Sequence, residues 1–372
     1  MTKVMSVIGT RPEAIKMAPV IKELENHTDA LESVVCLTAQ HREMLDQVLD
    51  VFDVSANYDL DVMLPDQSLS QLTARILIGL DEVVVRERPH WILVQGDTTT
   101  AMVASLVAYY HRVKVGHVEA GLRTHDKFQP FPEEVNRRVV DVLADLYFAP
   151  TNTNRQNLLR EGVPPQAIVV TGNTVIDALL MMARRPGATL PEALDHSVDG
   201  KRLIVVTAHR RENFGAPLQS ICRALSEIAR RYQEDVHIVY PVHLNPNVFE
   251  PVHEMLGGVP NISLIEPMGY ADFVGLLSRA YLVLTDSGGL QEELPSLDKP
   301  VLVLRQTTER PEVVAAGAAK LVGTDTETIV RETVRLLDDA LAYGQMAGVA
   351  NPYGDGHASR RIVQAILDYC DP

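Results

Sequence analysis

Thr285-Asp286-Ser287-Gly288-Gly289-Leu290-Gln291-Glu292-Glu293 joins an apolar run, residues 281–285, to a stretch of helical composition. The run is short and rich in Leu and Val, so it reads as a buried strand. Two glycines follow. They let the backbone turn and let a ligand approach it closely. The first N–H groups of the helix beyond have no partner within the helix and carry its positive end. Together these features describe a diphosphate site in which the Ser287 hydroxyl is a further donor. Glu293, on the helix, stands where it can take ribose hydroxyls.

The same strand–turn–helix unit recurs on both sides of this stretch. Residues 4–8, 34–38, 91–95, 116–118, 147–149 and 168–171 read as strands. Helical patterns at 14–26, 43–52, 69–88, 99–110, 133–143 and 153–161 separate or follow them. After a Pro- and Gly-rich stretch, 184–200, the alternation resumes. It has strands at 203–207, 237–241, 262–265, 281–285 and 301–304, and helices at 217–232 and 359–369. Residues 184–200 read as an interdomain linker or a long surface loop. Such alternation predicts an α/β fold with parallel sheets covered on both faces. Two halves of similar length predict two doubly wound domains, with ligands beyond the carboxyl ends of the strands in a shared cleft. At 372 residues the chain exceeds the size of most single cores.

The other strand ends also carry polar and charged motifs. The first carries Gly9-Thr10-Arg11-Pro12-Glu13-Ala14-Ile15-Lys16. Arg11 and Lys16 beside a helix N-terminus suit an anion, or are solvated cations on a plain connection. The strand 91–95 ends in Gly96-Asp97-Thr98-Thr99, where Thr98 or Thr99 caps the next helix and Asp97 is a cap or a reactive carboxylate. Glu119 follows the strand 116–118. Glu133 and Glu134 open the helix after Pro132, where the helix dipole also favours anions. Three segments thus bring carboxylates to one rim, and converging carboxylates supply acid–base pairs. In the second half, Ala208-His209-Arg210-Arg211 is the strongest cationic cluster, and His243 also ends a strand.

Composition limits the alternatives. Apolar residues make up 46% of the chain and charged residues 22%, which supports sizeable cores and argues against disorder. A formal net charge of −15 disfavours nucleic acid and anionic membranes as partners. The three cysteines, Cys36, Cys222 and Cys370, are scattered and read as isolated buried thiols. No apolar stretch approaches a membrane span, and the apolar run at the N-terminus is too short for a signal peptide, so the cytoplasm is the expected location. There is no Gly-x-Gly-x-x-Gly, no Walker A sequence, no serine nucleophile elbow and no His-Glu-x-x-His. Neither a cofactor nor a metal is therefore expected.

The motifs in order resemble the non-hydrolysing UDP-N-acetylglucosamine 2-epimerases of bacteria, essentially end to end. The matching stretches are 9–19, 38–47, 96–100, 116–124, 132–137, 171–177, 209–212, 240–247, 286–293, 307–312 and 351–356. The resemblance implies a GT-B fold whose two Rossmann-like domains comprise residues 1–172 with the returning helix 357–372, and residues 173–356. It implies a homodimer and the interconversion of UDP-GlcNAc and UDP-ManNAc, which supplies ManNAc for cell-surface polysaccharide. Carried over by motif, Asp97, Glu119, Glu133 and His209 are the catalytic group. Arg11, Lys16, Arg210, Phe273, Ser287, Gly288, Gly289, Glu293 and Arg310 match positions that bind the nucleotide sugar. Met268 stands where some relatives have Gln near the uracil. Some relatives bind a second UDP-GlcNAc as activator; Gln40, His41, Arg210 and His243 fit that pattern, while Glu43 and Asp66 depart from it.

The reaction implied is elimination and re-addition. A base removes the C2 proton while the C1–O bond to UDP breaks, a 2-acetamidoglucal forms, and the proton returns to the other face as UDP re-adds. This asks for carboxylates near C2 and for cations and amides at the departing diphosphate. A hydrolysing epimerase and a GT-B glycosyltransferase are the competing readings.

Overall fold

The structure is a computed structural model and describes residues 1–38, 42–64, 66–185, 194, 198 and 200–370. Its internal contacts divide it into two compact units, Met1–Ala178 with Tyr353–Pro372, and Leu179–Pro352.

The first unit holds a parallel sheet of β1 (Thr2–Ile8), β2 (Leu31–Leu37), β3 (Tyr58–Asp59), β4 (Trp91–Gln95), β5 (Lys114–Val118), β6 (Leu146–Ala149) and β7 (Ile168–Val170). Their order is β3-β2-β1-β4-β5-β6-β7. β4 is buried along its whole length, as the apolar run 91–94 requires of a central strand covered on both faces. The helices start where the sequence supplies a side-chain acceptor. Ser68 and Thr98 cap the helices Leu69–Glu87 and Thr99–Tyr110. Helix Arg11–Glu25 begins three residues before the expected 14, because Thr10 and Glu13 form a reciprocal capping box. The two-residue β3 and the three-residue strand Ala319–Leu321 of the second unit are too short to show a period, and neither is expected from the sequence.

The chain returns to this unit at its end. Helix Ala358–Cys370 packs on helix Arg11–Glu25. Its N-terminus is held by a residue far away in sequence: Asp177 Oδ2 accepts from Ala358 N at 3.1 Å, and Oδ1 accepts from Ser359 N at 2.8 Å and Ser359 Oγ at 2.5 Å. Beside it Asn173 N donates to Tyr353 O at 2.7 Å. Gly172 lies so close to Gly354 that a Cβ on it would come to 3.1 Å of the Gly354 Cα. Two of the motif stretches, 171–177 and 351–356, are therefore the two sides of this chain crossing.

The second unit repeats the plan with β8 (Arg202–Thr207), β9 (Val236–Pro241), β10 (Ile262–Ile265), β11 (Leu282–Thr285), β12 (Val301–Val303) and β13 (Ala319–Leu321), in the order β10-β9-β8-β11-β12-β13. Its core is formed by Ile204, Val206, Ile238, Tyr240, Leu282 and Leu284 from the strands with Leu218, Ile221 and Leu225 of helix Ala216–Arg231. Both sheets thus have the doubly wound order. Each has one point where the strand order reverses, between β1 and β4 in the first unit and between β8 and β11 in the second. Ligands of open α/β sheets bind at such points. Two Rossmann-like sheets with the last helix returned to the first unit make this an α/β protein of the GT-B type. Most of 184–200 lies outside the described residues. Among the described residues, no helix is long and apolar enough to cross a membrane.

Candidate active site

At the reversal point of the first unit the backbone is held by hydroxyls and one buried carboxylate. Thr38 Oγ1 and Thr100 Oγ1 are 2.9 Å apart beneath Gly9. A Cβ on Gly9 would lie 2.2 Å from one and 2.7 Å from the other, so only glycine fits. Glu13 is buried. Its Oε2 accepts from Gly9 N at 3.0 Å and Thr10 N at 2.7 Å, and its Oε1 from Thr98 Oγ1 at 2.6 Å. Burial pushes this carboxyl above the ordinary glutamate range, against the pull of those hydrogen bonds. Thr98, not Asp97, is the helix cap. Asp97 is left available for other work.

Two carboxylates meet there. Glu119 adopts a left-handed backbone (φ 69°) just after β5, a conformation uncommon for a side chain of this type. Its Oε2 accepts from Lys16 Nζ at 2.5 Å and from Gln95 Nε2. Asp97 is gripped by Arg137 Nη2, and its carbonyl accepts from Asn136 Nδ2 at 2.9 Å. Burial is the largest influence on Asp97 and raises its pKa; Arg137 opposes it, neighbouring Glu119 adds to it, and Lys16 opposes it. The result lies above the ordinary aspartate value. Arg137 Nη1 also reaches Glu134 Oε2 at 3.2 Å, and the buried Glu134 accepts from Thr124 N and His125 N. Glu134, in the first turn of its helix, is therefore also a buried anchor. Glu133, at the start of helix Glu133–Leu143, is half-buried and joins none of these contacts. Behind the Gly96-Asp97 turn, buried His117 bonds Gly96 O at 2.8 Å and Asp141 at 2.6 Å, and Arg123 reaches Asp141 at 2.6 Å. Burial raises Asp141, but His117 and Arg123 bring it below the ordinary range.

At the reversal point of the second unit, Thr207 Oγ1 and Thr285 Oγ1 are 2.6 Å apart across the ends of β8 and β11. Ser287 N donates to Thr285 Oγ1 at 2.9 Å. The Ser287 side chain makes no capping bond to the helix Gly288–Glu293. A Cβ on Gly288 would meet Arg210 Nη2 at 3.5 Å and one on Gly289 would meet Glu293 Oε1 at 3.4 Å, both ordinary contacts, and neither glycine has a positive φ. Neither packing nor strain demands glycine at these two positions. What their missing side chains leave open is the approach to the amides of the helix start.

Around this turn, Asp286 is fully buried. Its Oδ2 accepts from His209 N and Arg210 N at 2.8 Å and from Asn213 Nδ2 at 3.0 Å. The ring of His209 stacks on that of His243, centroids 5.4 Å apart. Partial desolvation lowers the pKa of His209, whose side chain keeps 41% of its surface exposed; Asp286 opposes this, while His243 and Arg210 lower it further, and the net direction is down. Arg310 Nε is joined to the buried Glu292, and Arg305 to Glu212 at 2.6 Å. Glu293 is buried on the same short helix, and Phe273 and Met268 are half-buried at and before helix Tyr270–Arg279.

The candidate residues of the sequence therefore fall into two groups. Arg11, Lys16, Asp97, Glu119 and Glu133 belong to the first unit. His209, Arg210, His243, Phe273, Ser287, Gly288, Gly289, Glu293 and Arg310 belong to the second. Gln40 and His41 lie outside the described residues, and Asp66 is exposed. Sequence reasoning missed Gln95 and the role of Arg137. A signal for Arg137 was available: Glu134, Arg137 and Asp141 follow i, i+3, i+7 on the same helical stripe as apolar Val140, so polar groups are placed on a face that must be buried.

A GT-B-type protein with paired carboxylates at one reversal point and an open amide-lined turn at the other is the class these features define. Residues 22–367 match the model of the UDP-N-acetylglucosamine 2-epimerase family. A UDP-N-acetylglucosamine 2-epimerase of Yersinia pestis is 56% identical over 99% of both chains. The crystal structure of UDP-GlcNAc 2-epimerase from Neisseria meningitidis bound to UDP-GlcNAc is 49% identical, with TM-score 0.87, over 99% of this chain and all of that one. The Methanocaldococcus jannaschii enzyme in complex with UDP-GlcNAc and UDP is 33% identical, with TM-score 0.76, over 99% and 100%. The chain belongs to the UDP-N-acetylglucosamine 2-epimerase family, in its non-hydrolysing bacterial branch.

Proposed function

We propose that this protein interconverts UDP-GlcNAc and UDP-ManNAc by eliminating UDP to a 2-acetamidoglucal and adding it back. The observation that carries the reading is the Asp97–Glu119 pair, two carboxylates held at one strand-end rim by Arg137, Lys16 and Gln95. A module that only binds a nucleotide sugar has no use for such a pair, whereas taking the C2 proton from one face and returning it to the other calls for acid–base groups on both. In this reading Asp97 and Glu119, with Glu133, serve the C2 proton. The Ser287–Gly289 amides, Arg210 and His209 hold the diphosphate as it departs and returns, Arg11 adds charge to it, and Phe273, Glu293 and Arg310 shape the nucleoside end. Arg210 and His243, flanking His209, are the described residues available to a second, activating nucleotide sugar. The product supplies ManNAc for cell-surface polysaccharide.

The protein acts without a cofactor, in the cytoplasm and as a homodimer. The self-association is supported by the outward-facing Leu69, Ile78 and Val85 on helix Leu69–Glu87 and by Val142, exposed to 82%, on helix Glu133–Leu143. Light scattering of the wild type and of Ile78→Glu tests it; a monomeric wild type removes the claim.

Proton NMR of UDP-GlcNAc with the protein in D2O tests the activity. UDP-ManNAc with deuterium at C2 of both sugars is the expected result. Free ManNAc with UDP means hydrolysis instead, and an intact, unexchanged sugar turns attention to glycosyl transfer.

A further inference from the structure

One carboxylate oxygen of the second unit is buried without a hydrogen bond among the described residues. Asp286 Oδ2 is saturated by two backbone amides and Asn213, but Oδ1 has no such partner. Leaving a buried carboxylate oxygen unsatisfied is costly, and such atoms mark a place where a donor arrives. His209 Nδ1 lies 3.8 Å away. That is beyond a hydrogen bond, and a ring movement of about 1 Å closes it. Hydrogen bonds at reacting sites are commonly long before ligand binds and tighten afterwards. The backbone leading to His209 is already fixed: Asp286 Oδ2 holds its amide, and Tyr240 Oη donates to Ala208 O at 2.6 Å.

We propose that Asp286 is a positioning residue for His209: its free Oδ1 takes the Nδ1–H of the imidazole and leaves Nε2 as the ring nitrogen presented to the bound nucleotide sugar. The inference rests on His209 acting at the diphosphate. A neutral imidazole carries one N–H, and the acceptor it faces decides which nitrogen bears it. With a carboxylate at Nδ1 the proton sits there. Protonation at Nε2 then produces an imidazolium whose charge Asp286 offsets, so His209 can carry positive charge beside a departing diphosphate although partial desolvation disfavours it. Arg210 also faces this ring and opposes that charge, as a protonated His243 would. His243 does not compete for the Nδ1–H of His209, since its own Nδ1 accepts from Asn245 N at 3.0 Å and its ring lies parallel to that of His209.

Asp286→Asn separates this role from scaffolding. The three donors at the Oδ2 position require an oxygen there, so the amide carbonyl takes that place and the new NH2 faces His209. Nδ1 must then accept, and the imidazole proton moves to Nε2. The measurement is the two-bond proton–nitrogen spectrum of the full-length protein labelled in histidine, with His209 assigned by its loss in His209→Gln. The wild type should show neutral His209 as the Nδ1–H form, and Asp286→Asn as the Nε2–H form. In the same variant kcat should fall by about 100-fold or more. A wild type whose neutral His209 is the Nε2–H form, or an Asp286→Asn variant with an unchanged tautomer, overturns the proposal. The wild-type spectrum decides the matter even if the variant does not fold. Because tautomers are read without turnover, failure of the epimerase reading, seen as a wild type that neither forms UDP-ManNAc nor exchanges C2, is distinct from failure of this one.

Discussion

Lys16 Nζ lies 2.5 Å from Glu119 Oε2, so the cation that the sequence places beside a substrate anion is joined to a carboxylate of its own unit. The pair ties helix Arg11–Glu25 to the end of β5. Lys16→Met should therefore act on the carboxylate more than on the nucleotide. We expect kcat to fall by about 10- to 100-fold. UDP affinity, measured by calorimetry, should change by less than about threefold. A loss confined to affinity would assign Lys16 to the diphosphate instead.

Asp97 gives a pH dependence whose sign follows from its surroundings. Its pKa lies above the ordinary 3.8, chiefly through burial, so it remains protonated where a free aspartate has ionised. A step that needs the carboxylate loses rate as pH falls through that raised value. The acid limb of kcat/KM should then lie above the pH at which a solvent-exposed aspartate titrates. Arg137→Met removes the main opposing charge and should move that limb to higher pH. Asp97→Asn should still bind UDP while turnover and C2 deuterium exchange fall by about 10²- to 10⁴-fold.

Two glycines of the motifs should respond in opposite ways. Gly9→Ala puts a methyl within 2.2 Å of Thr100 Oγ1 and should destabilise the fold by about 1–3 kcal/mol in denaturant unfolding. Gly288→Ala meets nothing closer than 3.5 Å and has no positive φ. Its stability should stay within about 1 kcal/mol of wild type. Its UDP affinity should nonetheless fall by about tenfold or more, because the methyl occupies the approach to the amides. Retained affinity would remove the diphosphate from this turn.

Glu13 is a structural carboxylate. Glu13→Ala strands the Gly9 and Thr10 amides and should cost about 2–4 kcal/mol. Its raised pKa means the fold favours the protonated form. The stability it contributes is complete below the unfolded value and is lost as pH rises through the folded one. Glu13→Gln should flatten that part of the stability–pH curve, as read from thermal unfolding at a series of pH values.

Much of this protein was legible along the chain because its information is local. Apolar runs such as 91–94, capping residues such as Ser68 and Thr98, and the glycines at 288 and 289 act on neighbours within a few residues. A linear reading therefore recovers most strands, helix starts such as Leu69 and Thr99, and the glycine turn, while the start of helix Arg11–Glu25 and the helices Thr174–Ala183, Pro246–Leu256, Tyr270–Arg279 and Thr326–Asp338 escaped it. Carboxylates at the ends of β4 and β5 were legible for the same reason, since strand alternation alone places them on one rim. What the tertiary structure decided is which charges meet. Lys16 and Glu119 are 103 residues apart, and Asp97 and Arg137 are 40 apart. Asp177 holds the helix that begins at Ala358. Burial and proximity set the charge state and the partner of an ionisable group, and both depend on the packing of segments distant in sequence. That is why candidate residues at the strand ends could be named from the sequence, while the offset of Asp97, the commitment of Lys16 and the free oxygen of Asp286 belong to the folded chain alone.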